Sequence, residues 1–183
     1  GEIYNFRELR TELEAKGHSF QSRGDVEVVL RLYVEEGIGC LARLNGMFAL
    51  ALWDGRERVL HLARDRFGIK PLFWCREGAG IAFASELRAL LAGGFPARLE
   101  IDPVELRHYL AVGFPSPNGT LLDGVRAVRV ASVLSFEEGG GERLRSYWRP
   151  PGPEDRATVP ADAAAELREL LGKAVERQLV ADV

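Results

Sequence analysis

The chain has 183 residues, 46% of them hydrophobic and 28% charged, with a formal net charge of −3. That is the balance of one ordinary globular domain with some chain to spare, and the charge is too small to point to a polyionic partner. No basic stripe would track a nucleic-acid backbone, and no apolar run approaches the roughly 18 residues of a membrane span. Glu2, Arg7 and Glu8 interrupt any leader-like start. Cys40 and Cys75 are too few for a disulfide framework and lack metal-ligand spacing. The expected setting is a reducing cytoplasm, without nucleic-acid or membrane partners.

In chain order, Leu9 and Leu13 stand four apart among charges, which predicts a helix over residues 6–16, stopped at Gly17. Asp25 sits where an N-cap belongs, ahead of an apolar face of Val28, Val29, Leu32 and Tyr33. Gly37 interrupts that helix, and Ile38, Leu41 and Leu44 continue a short helical pattern. From Met47 to Trp53 the chain is nearly all apolar, and Asp54-Gly55 signals a hairpin turn. Residues 59–63, 72–75 and 81–84 read as further strands, and their close spacing predicts an antiparallel meander covered on both faces. Residues 85–91 read as a helix capped by Ser85 and stopped by Gly93-Gly94. Residues 95–123, rich in proline, read as an ordered connector holding a short helix over 104–111. Residues 126–136 and 143–148 read as a last hairpin around Gly139-Gly140-Gly141. Prolines 150, 151, 153 and 160 mark a linker over 150–160, and the apolar spacing of residues 161–180 predicts a helix. The chain opens on Gly1 and closes on Val180-Ala181-Asp182-Val183 as if entering a new element. An internal piece of a longer protein is therefore expected.

Four segments occur in one order: Gly1-Glu2-Ile3-Tyr4-Asn5; Gly24-Asp25-Val26-Glu27-Val28; Leu44-Asn45-Gly46-Met47-Phe48-Ala49, ending in Trp53-Asp54; and Arg64-Asp65-Arg66-Phe67-Gly68-Ile69-Lys70-Pro71-Leu72, completed by Phe83-Ala84-Ser85-Glu86. Together they resemble the glutaminase half of the glutamine-hydrolysing asparagine synthetase family, strongly over residues 1–94. The resemblance implies an α+β chain: an N-terminal-nucleophile hydrolase αββα sandwich, incomplete at its N-terminal side. A connector and the first helix of an α/β synthetase domain would follow. The implied boundaries are 1–149 for the amidotransferase domain, 150–160 for the linker and 161–183 for the opening of the synthetase domain.

In such enzymes a cysteine at the mature amino terminus attacks the glutamine side-chain amide, its α-amino group acting as base. A thiolate is a strong nucleophile, and an α-amino group with a pKa of about 8 is a useful base at neutral pH. The ammonia then amidates aspartate, activated by ATP with Mg2+, to give asparagine. The nucleophile and the ATP loop would both lie outside this chain, so by itself it is expected to be inactive and to bind no metal or cofactor. Two other readings share the residues: a related ATP-dependent enzyme aminating another carboxylate, and a non-catalytic scaffold module. A homodimer is compatible with all three.

By the same resemblance Gly1 offers its backbone N–H to the oxyanion of the tetrahedral intermediate. Glu2 lines the glutamine pocket, against a plainer role as a first-turn glutamate. Asp25 binds the glutamine α-ammonium, a role compatible with capping, and Gly24 gives the backbone freedom to approach the ligand. Arg23 departs from the glycine common at its position. Glu27 is structural. Arg64, Asp65, Arg66 and Lys70 form a salt-bridged turn, Gly68 and Pro71 serve that turn, and Ser85-Glu86 open a helix. Cys40 and Cys75 are small core residues rather than nucleophiles. His18, His61 and His108 have no spacing of a triad or metal site, and Asn118-Gly119-Thr120 is a turn.

Overall fold

The computed structural model describes residues 1–152 and 162–179, and the chain forms two units: Glu2–Gly46 with Arg149–Val183, and Gly1 with Met47–Trp148. In the first, β1 (Glu2–Ile3) leads into α1 (Phe6–Ala15), α2 (Asp25–Glu36) and a 3-10 helix (Gly37–Arg43), and the unit ends within β2 (Gly46–Met47), the partner of β1. The predicted stripe of α1 is buried, with Leu9 and Leu13 3% and 1% exposed, and on α2 Val28 and Leu32 are 0% and 1% exposed while Val29 and Tyr33 are half-buried. Each such side chain contributes about 1.5–3 kcal/mol relative to leaving it in water. Gly37 ends α2 at φ 63, a left-handed conformation that favours glycine. Arg43 then ties the layer together by binding Glu12 on α1 and Glu36 at the end of α2.

The short β1–β2 pair is closed by a side chain. Tyr4 N–H donates to the Asn45 carbonyl at 2.7 Å. The Asn5 carboxamide donates to the Arg43 carbonyl at 3.0 Å and accepts from Asn45 N–H at 2.9 Å. Asn5 thus satisfies backbone groups that a two-residue strand cannot pair by itself. Also in this unit, α5 (Ala163–Gln178) begins at Asp162, whose carboxylate accepts from Ala165 N–H at 3.1 Å. It leaves Leu167, Leu170, Leu171 and Val175 exposed. The expected linker lies outside the described residues from 153 onward.

In the other unit, β3 (Ala49–Asp54) and β4 (Val59–Arg64) form a hairpin in full register, Ala49 opposite Arg64 and Asp54 opposite Val59. The turn is longer than the Asp-Gly signal predicts. It spans residues 55–58, and Asp54 stabilises it by accepting from Arg56 and Glu57 N–H at 2.8 and 3.0 Å. β5 (Phe73–Glu77) and β6 (Gly80–Ala84) form a second hairpin. After α3 (Leu87–Ala92) and α4 (Pro103–Val112) come β7 (Val125–Ala127), β8 (Ser132–Glu137) and β9 (Glu142–Ser146).

These strands do not make one meander. One sheet runs β3-β4-β8-β9 and the other β6-β5-β7, so the chain changes sheets between β4 and β5 and again between β7 and β8. The predicted hairpin over residues 126–148 is likewise divided: only β8 and β9 pair with each other. The two sheets face across a core of Leu62, Leu72, Trp74, Val128, Leu134 and Phe136, with the Trp74 and Phe136 rings 5.0 Å apart. The far side of β6-β5-β7 packs Cys75 and Val125 against Leu87 and Leu90 of α3. Glu86, not Ser85, occupies the N-cap of α3, and neither side chain caps it. The better start belongs to α4, where Asp102 accepts from Val104 and Glu105 N–H, Pro103 opens the helix and Gly113 closes it at φ 87.

Candidate functional site

Gly1, in the sheet unit, has no room for a side chain. A Cβ there would stand 2.9 Å from the Met47 carbonyl oxygen and 3.0 Å from Phe48 Cα. The glycine is required by close approach of two backbones rather than by an unusual dihedral. Gly46, in the helical unit, is tighter still, with a Cβ falling 2.0 Å from the Glu2 carbonyl oxygen. The sequence draws attention to Gly1 through its motif. Gly46 carries the stronger constraint, and only the pairing of β1 with β2 reveals it.

Asp25 corrects an expectation. Gly24 holds the N-cap position with extended backbone, φ −78 and ψ 167, and Asp25 is the first helical residue. Its carboxylate caps nothing; instead Oδ2 accepts from Ile3 N–H at 2.9 Å, across 22 residues of chain. One oxygen of the predicted ligand residue is therefore committed to β1, next to Glu2. Glu2 itself is half-buried. Gly24 does not use glycine's conformational freedom: its φ suits any residue, and a Cβ there would meet nothing within 4 Å. What it leaves is open space at the start of α2.

Glu27 is structural, as expected. It accepts from Gln21 N–H and from both the N–H and the hydroxyl of Ser22. These bonds, the Gln21 backbone first, hold its carboxyl down to about 2.

In the charged turn after β4, Asp65 and Arg64 direct their hydrogen bonds to backbone groups. Asp65 is 1% exposed. Its Oδ1 accepts from Phe67 and Ile69 N–H, both at 3.0 Å, and its Oδ2 from Lys70 N–H at 3.0 Å and Phe48 N–H at 3.2 Å. The Arg64 guanidinium donates to the carbonyls of Lys70, Gly68 and Val128 at 2.8, 2.9 and 3.2 Å. Gly68 takes φ 68 within this turn, where a Cβ would fall 2.5 Å from Val130 Cγ1. The Tyr147 hydroxyl donates to the Arg64 carbonyl at 2.7 Å, and burial raises its pKa.

Cys40 and Cys75 are both 1% exposed. Burial raises the Cys40 thiol to about 11, with Glu36 adding to the shift, and burial also raises Cys75. Neither provides a thiolate near neutral pH. Mass-mapped alkylation of native protein is expected to leave both unmodified and to label both in denaturant; fast native labelling of either would contradict the packing. Of the histidines, His18 pairs with Glu35 at 3.2 Å, His61 with the Ser135 hydroxyl at 2.8 Å and His108 with the Phe114 carbonyl at 3.0 Å. Desolvation lowers the pKa of His61. The Asn118-Gly119-Thr120 segment is a turn, with Thr120 buried and its hydroxyl donating to the Val125 carbonyl at 2.9 Å. A cavity of about 420 Å³ opens nearby among Asp102, Glu105, Ser116 and Asp123, and no predicted site residue lines it. Among the described residues no three His, Cys, Asp or Glu side chains could hold a metal, and no helix is long and apolar enough to cross a membrane.

The chain is 38% identical over 184 aligned residues to asparagine synthetase [glutamine-hydrolyzing] 3 of Bacillus subtilis, covering all of this chain and 30% of that protein. It is 37% identical over 149 residues to asparagine synthetase [glutamine-hydrolyzing] 1 of the same organism, covering 81% of this chain and 23% of that one. The chain thus spans less than a third of these relatives. Among solved structures, the glutamine phosphoribosylpyrophosphate amidotransferase of B. subtilis superposes with a TM-score of 0.59 at 20% identity, over 81% of this chain and 28% of that one. At that identity the likeness carries the fold alone: the N-terminal-nucleophile hydrolase fold, of which the sheet unit shows the two facing sheets. A family model described as a glutamine amidotransferase domain matches residues 1–148, and the chain belongs to that family.

Proposed function

We propose that this chain is the glutamine-handling part of an enzyme that hydrolyses the side-chain amide of glutamine and passes the ammonia to an ATP-dependent amidation, with aspartate as acceptor and asparagine as product. The observation that carries this reading is the identity of 38% to a glutamine-hydrolysing asparagine synthetase along the whole chain, α5 included. In this reading α5 opens the synthetase domain and residues 150–160 link the two.

The roles follow from chemistry. Gly1 N–H donates to the oxyanion that forms as the amide carbon becomes tetrahedral; such a donor is worth about 2.7–4 kcal/mol in the transition state. Asp25 receives the α-ammonium of glutamine on the oxygen not engaged by Ile3, and Glu2 and the open space at Gly24 border the substrate. Burial of Cys40 and Cys75, which keeps both thiols protonated, supports a nucleophile outside these 183 residues. Two free buried thiols support a reducing, cytoplasmic setting.

The test is an assay of the full-length protein. It is expected to release glutamate and ammonia in equal amounts from glutamine, and to form asparagine when ATP, Mg2+ and aspartate are added. Absence of ammonia release sinks the glutaminase reading. Ammonia release without asparagine sinks the choice of acceptor and keeps the first half.

A further inference from the structure

Asp65 is the most heavily engaged buried charge among the described residues, and the mechanism above does not use it. Its carboxylate accepts four backbone N–H groups, three within its own turn and one from Phe48. Its own N–H donates to the Phe48 carbonyl at 2.9 Å, and its carbonyl accepts from Ala131 N–H at 2.9 Å. Both polar groups of the Phe48 backbone are thus held by one residue. Ala131 is itself tied down, in a left-handed conformation at φ 52, by Tyr147 N–H and the Ser146 hydroxyl on its carbonyl.

Phe48 is 4% exposed and belongs to the backbone on which Gly1 rests. The Gly1 α-carbon lies so close to the Met47 carbonyl and to Phe48 Cα that no methyl group fits between them. A shift of the Met47-Phe48 peptide by a few tenths of an ångström must therefore move Gly1. Fixed N–H direction is what an oxyanion donor requires, because only a dipole already aimed at the developing charge avoids reorganisation during reaction. A neutral amide could not replace Asp65. Asparagine offers one acceptor oxygen and would point its NH2 at two of the four N–H groups.

We propose that Asp65 is a positioning residue for the Gly1 N–H, acting through the backbone of Phe48. This rests on the reading of Gly1 as an oxyanion donor. The experiment uses the full-length protein with Asp65→Asn, and with Tyr147→Phe as a milder change that removes the hydroxyl bond to Arg64 beside Asp65. Each variant is assayed below its measured melting midpoint, so that the folded fraction is complete. Asp65→Asn is expected to lower kcat for glutamine hydrolysis by about 10–100-fold with KM within about twofold, the pattern of an interaction made only in the transition state. Tyr147→Phe is expected to lower kcat about threefold or more, again at constant KM. A merely structural role would lower the midpoint and leave kcat of the folded enzyme intact. Unchanged kcat in Asp65→Asn, or in Tyr147→Phe where Asp65→Asn does not fold, overturns the proposal while leaving the glutaminase reading standing. Wild-type protein without glutaminase activity overturns both.

Discussion

Gly46→Ala is expected to slow glutamine hydrolysis on the order of 100-fold and to lower stability by about 2–4 kcal/mol. The added methyl would lie 2.0 Å from the Glu2 carbonyl oxygen and 2.9 Å from Ile3 Cα, and both obstacles are backbone. No rotamer change relieves the clash, so β1 and β2 must separate by about 1 Å, and with two residues each they have little ladder to resist it. A misplacement of that size costs on the order of 100-fold in rate, and here it falls on the strand that carries Glu2 and follows Gly1. Gly39→Ala is the matching control: a Cβ at Gly39 meets nothing within 4 Å. It should change the melting midpoint little and kcat/KM not at all. Normal hydrolysis in Gly46→Ala would mean that β1 is not needed where the structure puts it.

Asp25→Asn and Asp25→Ala are expected to separate two jobs done by one carboxylate. Asparagine keeps an oxygen for Ile3 N–H and loses the negative charge. It should leave stability within about 0.5–1 kcal/mol of wild type and raise KM for glutamine about 10–100-fold, the effect of losing a charged hydrogen bond of about 1.5–3 kcal/mol. Alanine removes both oxygens. It also orphans the Ile3 N–H now bonded at 2.9 Å, at about 1–3 kcal/mol, so the melting midpoint should fall and kcat should drop along with affinity. Steady-state kinetics on glutamine with thermal melts distinguish the cases. A wild-type KM in Asp25→Asn would remove Asp25 from substrate binding and leave it the backbone clamp alone.

Much of the helical layer is legible without coordinates. Leu9 and Leu13, and Val28 and Leu32, announce their helices because one face of a 3.6-residue period must be buried, and that rule depends only on local spacing. Gly37 reads as a stop for the same local reason. The strands around Asp54 are legible as well, since a turn signal and apolar runs lie within a few positions of one another. The four ordered segments, the one at Gly1 included, suffice to indicate the amidotransferase family, which the match over residues 1–148 bears out.

What the sequence by itself determined, then, is most of the helices and strands and the family. Strand partners were decided by tertiary structure. Nothing near β4 states that it joins β8, 74 residues away at the His61–Ser135 contact, rather than β5; the choice depends on which apolar faces can close on Leu62 and Trp74 together. The working roles of charges were decided there too. Asp25 reads as an N-cap by position and serves Ile3 instead, because Gly24 already occupies the cap. Arg64 and Asp65 read as an ion-paired turn, and they satisfy backbone instead, because a chain changing sheets buries N–H and C=O groups that no ladder can pair. Hydrogen-bond demand of that kind arises only once distant segments meet, so no local pattern in the sequence records it.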